Sequence, residues 1–406
     1  MAIKVITTVG TSLATNYKKY YSKFLKNYLS DISHRIDKTE GKTLSDAKDL
    51  DTDIRRIEKA LGEWLTEIVC YEWQDEEKRY CEKRNSSGIN EHASAEVSSL
   101  IKYAQNHKED LEVILFASDT LLSHVIATTL ADAVSGFKVD GLYEITIYYN
   151  PDQDYLKGMQ IKDIKAFQKE GIRHLVNRYL DIKSSCYKAP AINITGGYKG
   201  LIPMLAILGQ IYGCTIFYMF ENTDVIIEIP KLPVQMDENI FMKYFETFLA
   251  LDENFITERD HYEFCNDEII QSMIDTDDGE VSLNPLGYIF WERFKDKCVI
   301  YYMPDDVWKN LEDHKCRKLK KMLAGDPEGF ETEAEQNGHV VFKKGHEEDR
   351  AYRFKFEGKW YLYKVFGEGE HDKCHIPYMK KTPFTEKLKR DTIKNSKPRI
   401  IFKEER

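Results

Sequence analysis

The sequence predicts an α/β fold: a doubly wound unit over residues 1–235, a helical, winged-helix-like connector over 236–297, and an α+β unit over 298–406. Three observations carry that expectation. Through residue 235, apolar β-forming runs alternate with amphipathic helical patterns, which implies a mostly parallel sheet covered on both faces. From Cys298 the alternation stops, and short β-type runs follow one another across hairpin-sized turns. The charge turns over at the same place. Although the chain carries net −10, the residues from Tyr301 hold 24 Lys and Arg against 20 Asp and Glu, and those from Ala351 hold 15 against 8. A basic terminal unit on an acidic body suits a polyanionic partner.

In the first unit, strands are expected at Ile3–Thr8, Val113–Phe116, Ile145–Tyr149, Ala191–Ile194, Thr215–Met219 and Val225–Ile229. Helical patterns fill the intervals: Asn16–Ile36, Leu50–Glu72, Ala95–Asn106, Leu121–Val134, Ile161–Leu180 and Leu201–Tyr212. The last two strands are close enough for an antiparallel hairpin at Asn222–Asp224. The charged stretch Trp73–His92 reads as an exposed loop, and Pro230 and Pro233 punctuate the end of the unit. In the connector, Ile269–Phe294 reads as helix, DDG turn, short strand, then a helix after Asn284-Pro285. From Cys298 come a strand (CVIYYM), two helices with cationic faces, and a Gly- and acid-rich loop. Strands at His339–Phe342, Ala351–Phe356, Lys359–Phe366 and Lys373–Tyr378 follow, then a basic tail with a helix and an extended segment.

Eight cysteines lie scattered with no C-x-x-C pair, which argues against a zinc ribbon or a disulfide framework. No apolar stretch reaches membrane-span length and no leader pattern opens the chain, so the cytoplasm is the expected compartment and no membrane partner is expected. Two loops carry the chemistry. VITTVGTSLATN (Val5–Asn16) and NITGGYKGL (Asn193–Leu201) each leave an apolar strand through Gly and hydroxyl residues into a helical pattern. Such loops admit close backbone approach and favour negative charge at the helix start. Neither is a G-x-G-x-x-G or a G-x-x-x-x-G-K-[ST], so a standard dinucleotide or P-loop site is not indicated.

Taken in order, VGTSL, ASAEVSSL (Ala93–Leu100), ILFASDT (Ile114–Thr120), FQKEGIRHLV (Phe167–Val176) and AINITGGYKGLIPMLAILGQIYG (Ala191–Gly213) resemble the CARF family, the Rossmann-like sensors of CRISPR systems; GEVSLNPLG (Gly279–Gly287) is similar to the connector that follows in such proteins. The resemblance implies a homodimer that binds a cyclic oligoadenylate made by a type III CRISPR complex, with cyclic tetra-adenylate the expected ring. A symmetric ring fits an isologous cleft. Gly10, Thr11 and Ser12 would then offer donors, Ser118 and Thr120 further donors, and Thr195, Gly196, Gly197 and Lys199 would cradle a phosphate. Ser12 and Lys199 match positions that in some relatives serve cleavage of the ring. The plainer readings are a helix N-cap for Ser12 and a solvated turn lysine for Lys199.

For the output unit, the Arg-x4–6-His signature of HEPN ribonucleases is absent; Arg84 and His92 are separated by seven residues. Glu357-Gly358-Lys359 is a lone Glu-x-Lys on a turn, a weak match to metal-dependent nucleases. VIYYMPDDVWKNL, KLKKML and AYRFKFEGKWYLYKVF in that order resemble the RelE family of messenger-RNA interferases. That resemblance implies metal-independent cleavage of messenger RNA on the ribosome, with no cofactor. The RNA's own 2′-OH attacks the adjacent phosphate, and cationic side chains neutralise the crowded phosphorane. Arg353 and Lys355 alternate on one strand and so share a face. With Lys359, His375 and Tyr378 they form the expected catalytic set, while Lys343, Lys344 and Arg350 are expected phosphate contacts. Trp360 and Phe354 are expected in the core. Two rival readings are a ligand-responsive transcriptional regulator acting through the winged helix, and a ring nuclease whose last unit is an interaction module.

Overall fold

The computed structural model describes residues 2–20, 29–66, 88–91, 93–159, 164–197, 199–220, 223, 225–233, 236–253, 256–325, 332–343 and 348–403. The fold is α/β, and the chain divides into two compact units: Met1–Asp237 with Asn254–Phe290, and Glu238–Glu253 with Trp291–Arg406. The segment expected as a connector is thus shared between them.

The first unit is built on β1 (Ile3–Val9), β2 (Leu111–Ser118), β3 (Phe137–Val139), β4 (Tyr143–Tyr148), β5 (Tyr155–Leu156), β6 (Ala191–Asn193), β7 (Ile216–Met219) and β8 (Ile226–Ile229). Their order is β3-β4-β2-β1-β6-β7-β8, with β5 beside β2. The central strands β4, β2, β1, β6 and β7 pair in parallel, while β3 and β8 are antiparallel edges. The β7–β8 hairpin fulfils the sequence reading; β3 and β5 were too short to show in it. The chain leaves β1 for β2 on one side and later returns to β6 on the other. That reversal creates a crevice at the carboxyl ends of β1 and β6, where open α/β sheets hold ligands.

One face of the sheet buries Val5, Val9, Val113, Leu115, Ile145 and Ile147 against Ile57, Leu61, Leu100 and Ile126 of three helices, Asp51–Thr66, Ala95–His107 and Leu121–Val134. On the other face, Gly209 lets the helix Leu201–Tyr212 lie close: a Cβ there would stand 2.7 Å from Ile216 Cδ1. The expected helix Asn16–Ile36 begins as Ser12–Tyr20 and ends as Leu29–Thr39. Most of the expected loop Trp73–His92 lies outside the described residues. A separate three-stranded sheet joins β9 (Ile256–Thr257), β10 (Ile274–Asp277) and β11 (Glu280–Leu283) in the order β10-β11-β9. Asp278 (φ 50°) and Gly279 (φ 80°) turn the β10–β11 hairpin with left-handed backbone, as a tight hairpin requires.

The second unit carries a sheet of β12 (Cys298–Met303), β13 (Thr332–Gln336), β14 (His339–Phe342), β15 (Arg350–Phe356), β16 (Lys359–Phe366) and β17 (Lys397–Phe402), ordered β13-β14-β15-β16-β12-β17. It is covered on both sides. Val307, Leu311, Leu319 and Leu323 of the helices Asp305–Glu312 and Arg317–Leu323 pack with Phe342, Ala351 and Leu362. Across the sheet, Tyr352, Phe354, Tyr361, Tyr363 and Phe366 pack with Met379 and the residues around it. One expectation is overturned: Lys373–Tyr378 is no strand but a π-helical turn, His371–His375, running into the helix Ile376–Lys381. Pro377 explains the difference, since proline cannot donate to a ladder but is well placed in a first helical turn.

Candidate functional site

Three loops meet at the carboxyl edge of the first sheet: the exits of β1, β2 and β6. Gly10, Thr11 and Ser12, then Ser118 and Thr120, then Thr195, Gly196, Gly197 and Lys199 all lie there. Hydrogen bonds tie the loops together. Thr8 Oγ1 donates to the Gly196 carbonyl at 2.6 Å, linking the first loop to the second. Ser123 Oγ donates to the Val9 carbonyl (3.3 Å) and accepts the Ser118 N–H (3.1 Å), linking the first to the third. Thr120 caps the helix Leu121–Val134 by accepting the Ser123 N–H. Thr195 Oγ1 donates to Asn193 Oδ1 and accepts the Met219 N–H.

At the centre is a residue the sequence reading missed. Glu96 is fully buried in the first turn of the helix Ala95–His107. Its Oε1 accepts the Gly10 N–H at 2.7 Å; its Oε2 accepts the Ser12 hydroxyl at 2.6 Å and the Ser94 hydroxyl at 2.9 Å. The Gly10 and Ser12 donors expected to face a ligand are therefore turned toward a carboxylate of the protein itself. The glycines serve the same packing. A Cβ at Gly196 would stand 2.1 Å from Glu96 Oε1, one at Gly10 would stand 2.6 Å from the Gly197 nitrogen, and one at Gly197 (φ +99°) would stand 2.3 Å from Thr8 Oγ1. Close approach is needed, but by loop to loop before any ligand. Thr11 and Lys199 remain exposed at the rim. A signal for Glu96 was present: Ser94-Ala95-Glu96 is a cap followed by a first-turn acid.

In the second unit, the expected catalytic residues separate into groups. The Arg353 guanidinium lies between two rings, 4.5 Å from the centroid of Phe342 and 4.1 Å from that of Trp360; the Lys355 ammonium stands 5.5 Å over the same Trp360 ring. Arg353 is buried and Lys355 exposed. They share a face, as their spacing predicts, but that face is largely roofed by the helices Asp305–Glu312 and Arg317–Leu323. His375 is fully buried against Tyr352 and Phe366, and Tyr378 packs on the same cluster, so both belong to the opposite face. Burial pushes the Tyr378 phenol above its ordinary range. Lys359 pairs with Glu253 at 2.7 Å and sits over the Tyr302 ring. Phe354 is core, as expected, whereas Trp360, also expected there, is only half-buried. Of the expected phosphate contacts, Lys343 directly follows β14, Lys344 lies outside the described residues, and Arg350 is buried with its Nη1 donating to the Asp349 carbonyl.

His339, another residue not foreseen, is fully buried beneath this second face. Its ring nitrogens engage the Tyr363 hydroxyl and the Thr382 carbonyl, joining β14 and β16 to the segment after the helix Ile376–Lys381. Among the described residues there is no cluster able to hold a metal ion.

Residues 91–232 match the model of a family described as CRISPR-associated protein (Cas_APE2256). The match indicates a CRISPR-associated protein. This CRISPR-associated stretch lies wholly in the first unit and runs from just before the helix Ala95–His107 to just past β8. It takes in Glu96, Ser118, Thr120 and the Asn193–Leu201 loop, while Gly10 and Ser12 precede it and the second unit lies beyond it. No curated protein matches the chain. Among the described residues, no helix is long and apolar enough to cross a membrane.

Proposed function

We propose that the chain is an ancillary effector of type III CRISPR defence: a homodimeric sensor of cyclic oligoadenylate whose basic second unit is a metal-independent ribonuclease acting on messenger RNA at the ribosome. The observation that carries this reading is the convergence of three hydroxyl-bearing loops, two of them rich in glycine, on the switch-point crevice of a CRISPR-associated chain. In it, the ring's phosphodiesters lie against the Thr195–Lys199 loop, with Lys199 as the exposed point charge.

Cleavage in the second unit rests on Arg353 and Lys355. The RNA's 2′-oxygen attacks the adjacent phosphorus as its proton leaves, the bond to the 5′-oxygen breaks, and that oxygen is protonated. The protein's share is positioning and charge. Arg353, buried and stacked on Trp360, contributes fixed positive charge from beneath the surface, while the exposed Lys355 on the same ring can follow the phosphorane. His375 and Tyr378 lie under the other face and have no part in this arrangement.

The transcription-factor reading is disfavoured. The β10–β11 hairpin, which would be the DNA-binding wing, carries Asp275, Asp277, Asp278 and Glu280, and four carboxylates repel a phosphate backbone. The test is to titrate cyclic tri-, tetra- and hexa-adenylate while following binding heat and RNA cleavage, with and without ribosomes. Activation by one ring is expected. Silence toward all rings refutes the sensor, and full cleavage by Arg353→Ala/Lys355→Ala refutes the site.

A further inference from the structure

We infer that the first unit holds a second ligand site, apart from the loop crevice: a cavity on the other face of its sheet that takes a nucleoside monophosphate. Alternation decides what lines it. Val5, Val113, Ile145 and Ile147 point into the core under the helices Asp51–Thr66, Ala95–His107 and Leu121–Val134, so their strand neighbours Lys4, Glu112, Ile114 and Tyr148 point the opposite way. Register sets these four side by side, Lys4 opposite Glu112 and Ile114 opposite Tyr148. They floor a cavity of about 390 Å³, walled by Tyr149, Asn150 and Asp154 and by Arg178 of the helix Ile172–Ser184. Small-molecule sites commonly measure about 300–1,000 Å³. Lys4 lies six residues before Gly10, about 20 Å along an extended strand, so the cavity and the loop crevice are distinct places.

The charges in this cavity are unequally committed. Asp154 is buried, and its carboxylate is already engaged by the Asn150 N–H at 2.7 Å and by Arg178 Nε at 2.8 Å. That pair fixes the Arg178 guanidinium, while its two Nη groups have no partner among the described residues. Lys4 is held only loosely, 4.0 Å from Glu112 and 3.5 Å from the Ser185 hydroxyl, and a half-exposed pair at such a distance is worth little. Two cations, one from a strand and one from a helix, thus line one cavity with donors to spare. A doubly charged phosphate uses both, whereas the planar Arg178 fork alone would satisfy a carboxylate. A bare phosphate would leave the rest of the cavity empty. Tyr148, 51% exposed, presents a ring on which a base can stack, and the Glu112 carboxylate can accept hydroxyls of a ribose.

The experiment is calorimetry on the full chain with adenosine 5′-monophosphate, inorganic phosphate and adenosine. The monophosphate is expected to bind with a Kd below about 1 mM, and phosphate and adenosine at least about tenfold more weakly, since each uses one part of the cavity. Lys4→Met and Tyr148→Ala replace partly exposed side chains and keep the buried Asp154–Arg178 pair. Lys4→Met should weaken the monophosphate by about tenfold. Tyr148→Ala should weaken it by about fivefold or more and leave the affinity for inorganic phosphate unchanged, a split that general loosening of the sheet does not give. Saturating cyclic tetra-adenylate should not displace it. The inference is overturned if wild type binds no monophosphate, or if inorganic phosphate binds as tightly. It is equally overturned if binding survives both variants but is lost to the cyclic ring, which places the nucleotide in the loop crevice.

Discussion

Gly196→Ala tests whether loop-to-loop packing, not ligand access, demands glycine at the crevice. The added methyl would stand 2.1 Å from Glu96 Oε1, 2.5 Å from its Cδ and 2.9 Å from its Cγ. Gly196 has no positive φ, so the backbone itself tolerates alanine. The strain is therefore steric and falls on a carboxylate held by the Gly10 N–H and by the Ser12 and Ser94 hydroxyls. Overpacking of this kind costs about 1–3 kcal/mol. Each disturbed bond to a charged group is worth roughly 1.5–3 kcal/mol, with large non-additivity. A loss of about 2–5 kcal/mol is expected, read as urea-dependent hydrogen exchange in peptides spanning residues 95–134, so that only the first unit is observed. Glu96→Ala removes the obstructing atoms. In that background Gly196→Ala should cost under about 1 kcal/mol, a coupling of at least about 1 kcal/mol. A single variant within about 0.5 kcal/mol of wild type, or strict additivity of the pair, refutes the reasoning.

Three further outcomes are expected. Burial holds the His339 imidazole below its ordinary value, against the raising effect of the Thr382 carbonyl. The folded state thus prefers neutral histidine: its contribution is complete above the unfolded value of about 6.5 and declines as pH falls from there toward the folded value. Melting of the second unit between pH 8 and 5 should show an acid-side loss in wild type that is smaller in His339→Gln; identical profiles would exclude this origin. Gly287→Ala would place Cβ 2.0 Å from the Met273 carbonyl oxygen, a backbone atom that cannot swing aside. It should cost roughly 3 kcal/mol, a fall of about 6–10 °C in the first unit's Tm, and an unchanged Tm would contradict the geometry. Lys359→Ala removes a half-exposed pair with Glu253, worth below about 1 kcal/mol. Its Tm should scarcely move, so any lost RNA cleavage measures a role in chemistry.

The parallel strands and their helices were legible because burial on both faces writes continuous apolar runs into sequence, as in KVITTV and VILFAS. The two glycine loops were legible too, as interruptions of those runs. Their purpose was not. Glu96 meets Gly10 and Ser12 from 86 and 84 residues away, and no local period records such a contact. In the second unit, alternation places Arg353 and Lys355 together, yet both faces of that sheet are apolar, so the sequence could not say which was roofed. His375 was misplaced because a β-type composition outweighed Pro377, the one residue that excluded a strand.

The pairing of β17 with β12 has a consequence for how the protein is made. Cys298–Met303 is zipped along its full length to Lys397–Phe402, Cys298 opposite Phe402 and Met303 opposite Lys397. An inner strand thus waits on a partner synthesised about a hundred residues later, and the sheet bearing Arg353 stays unfinished while the intervening chain is translated.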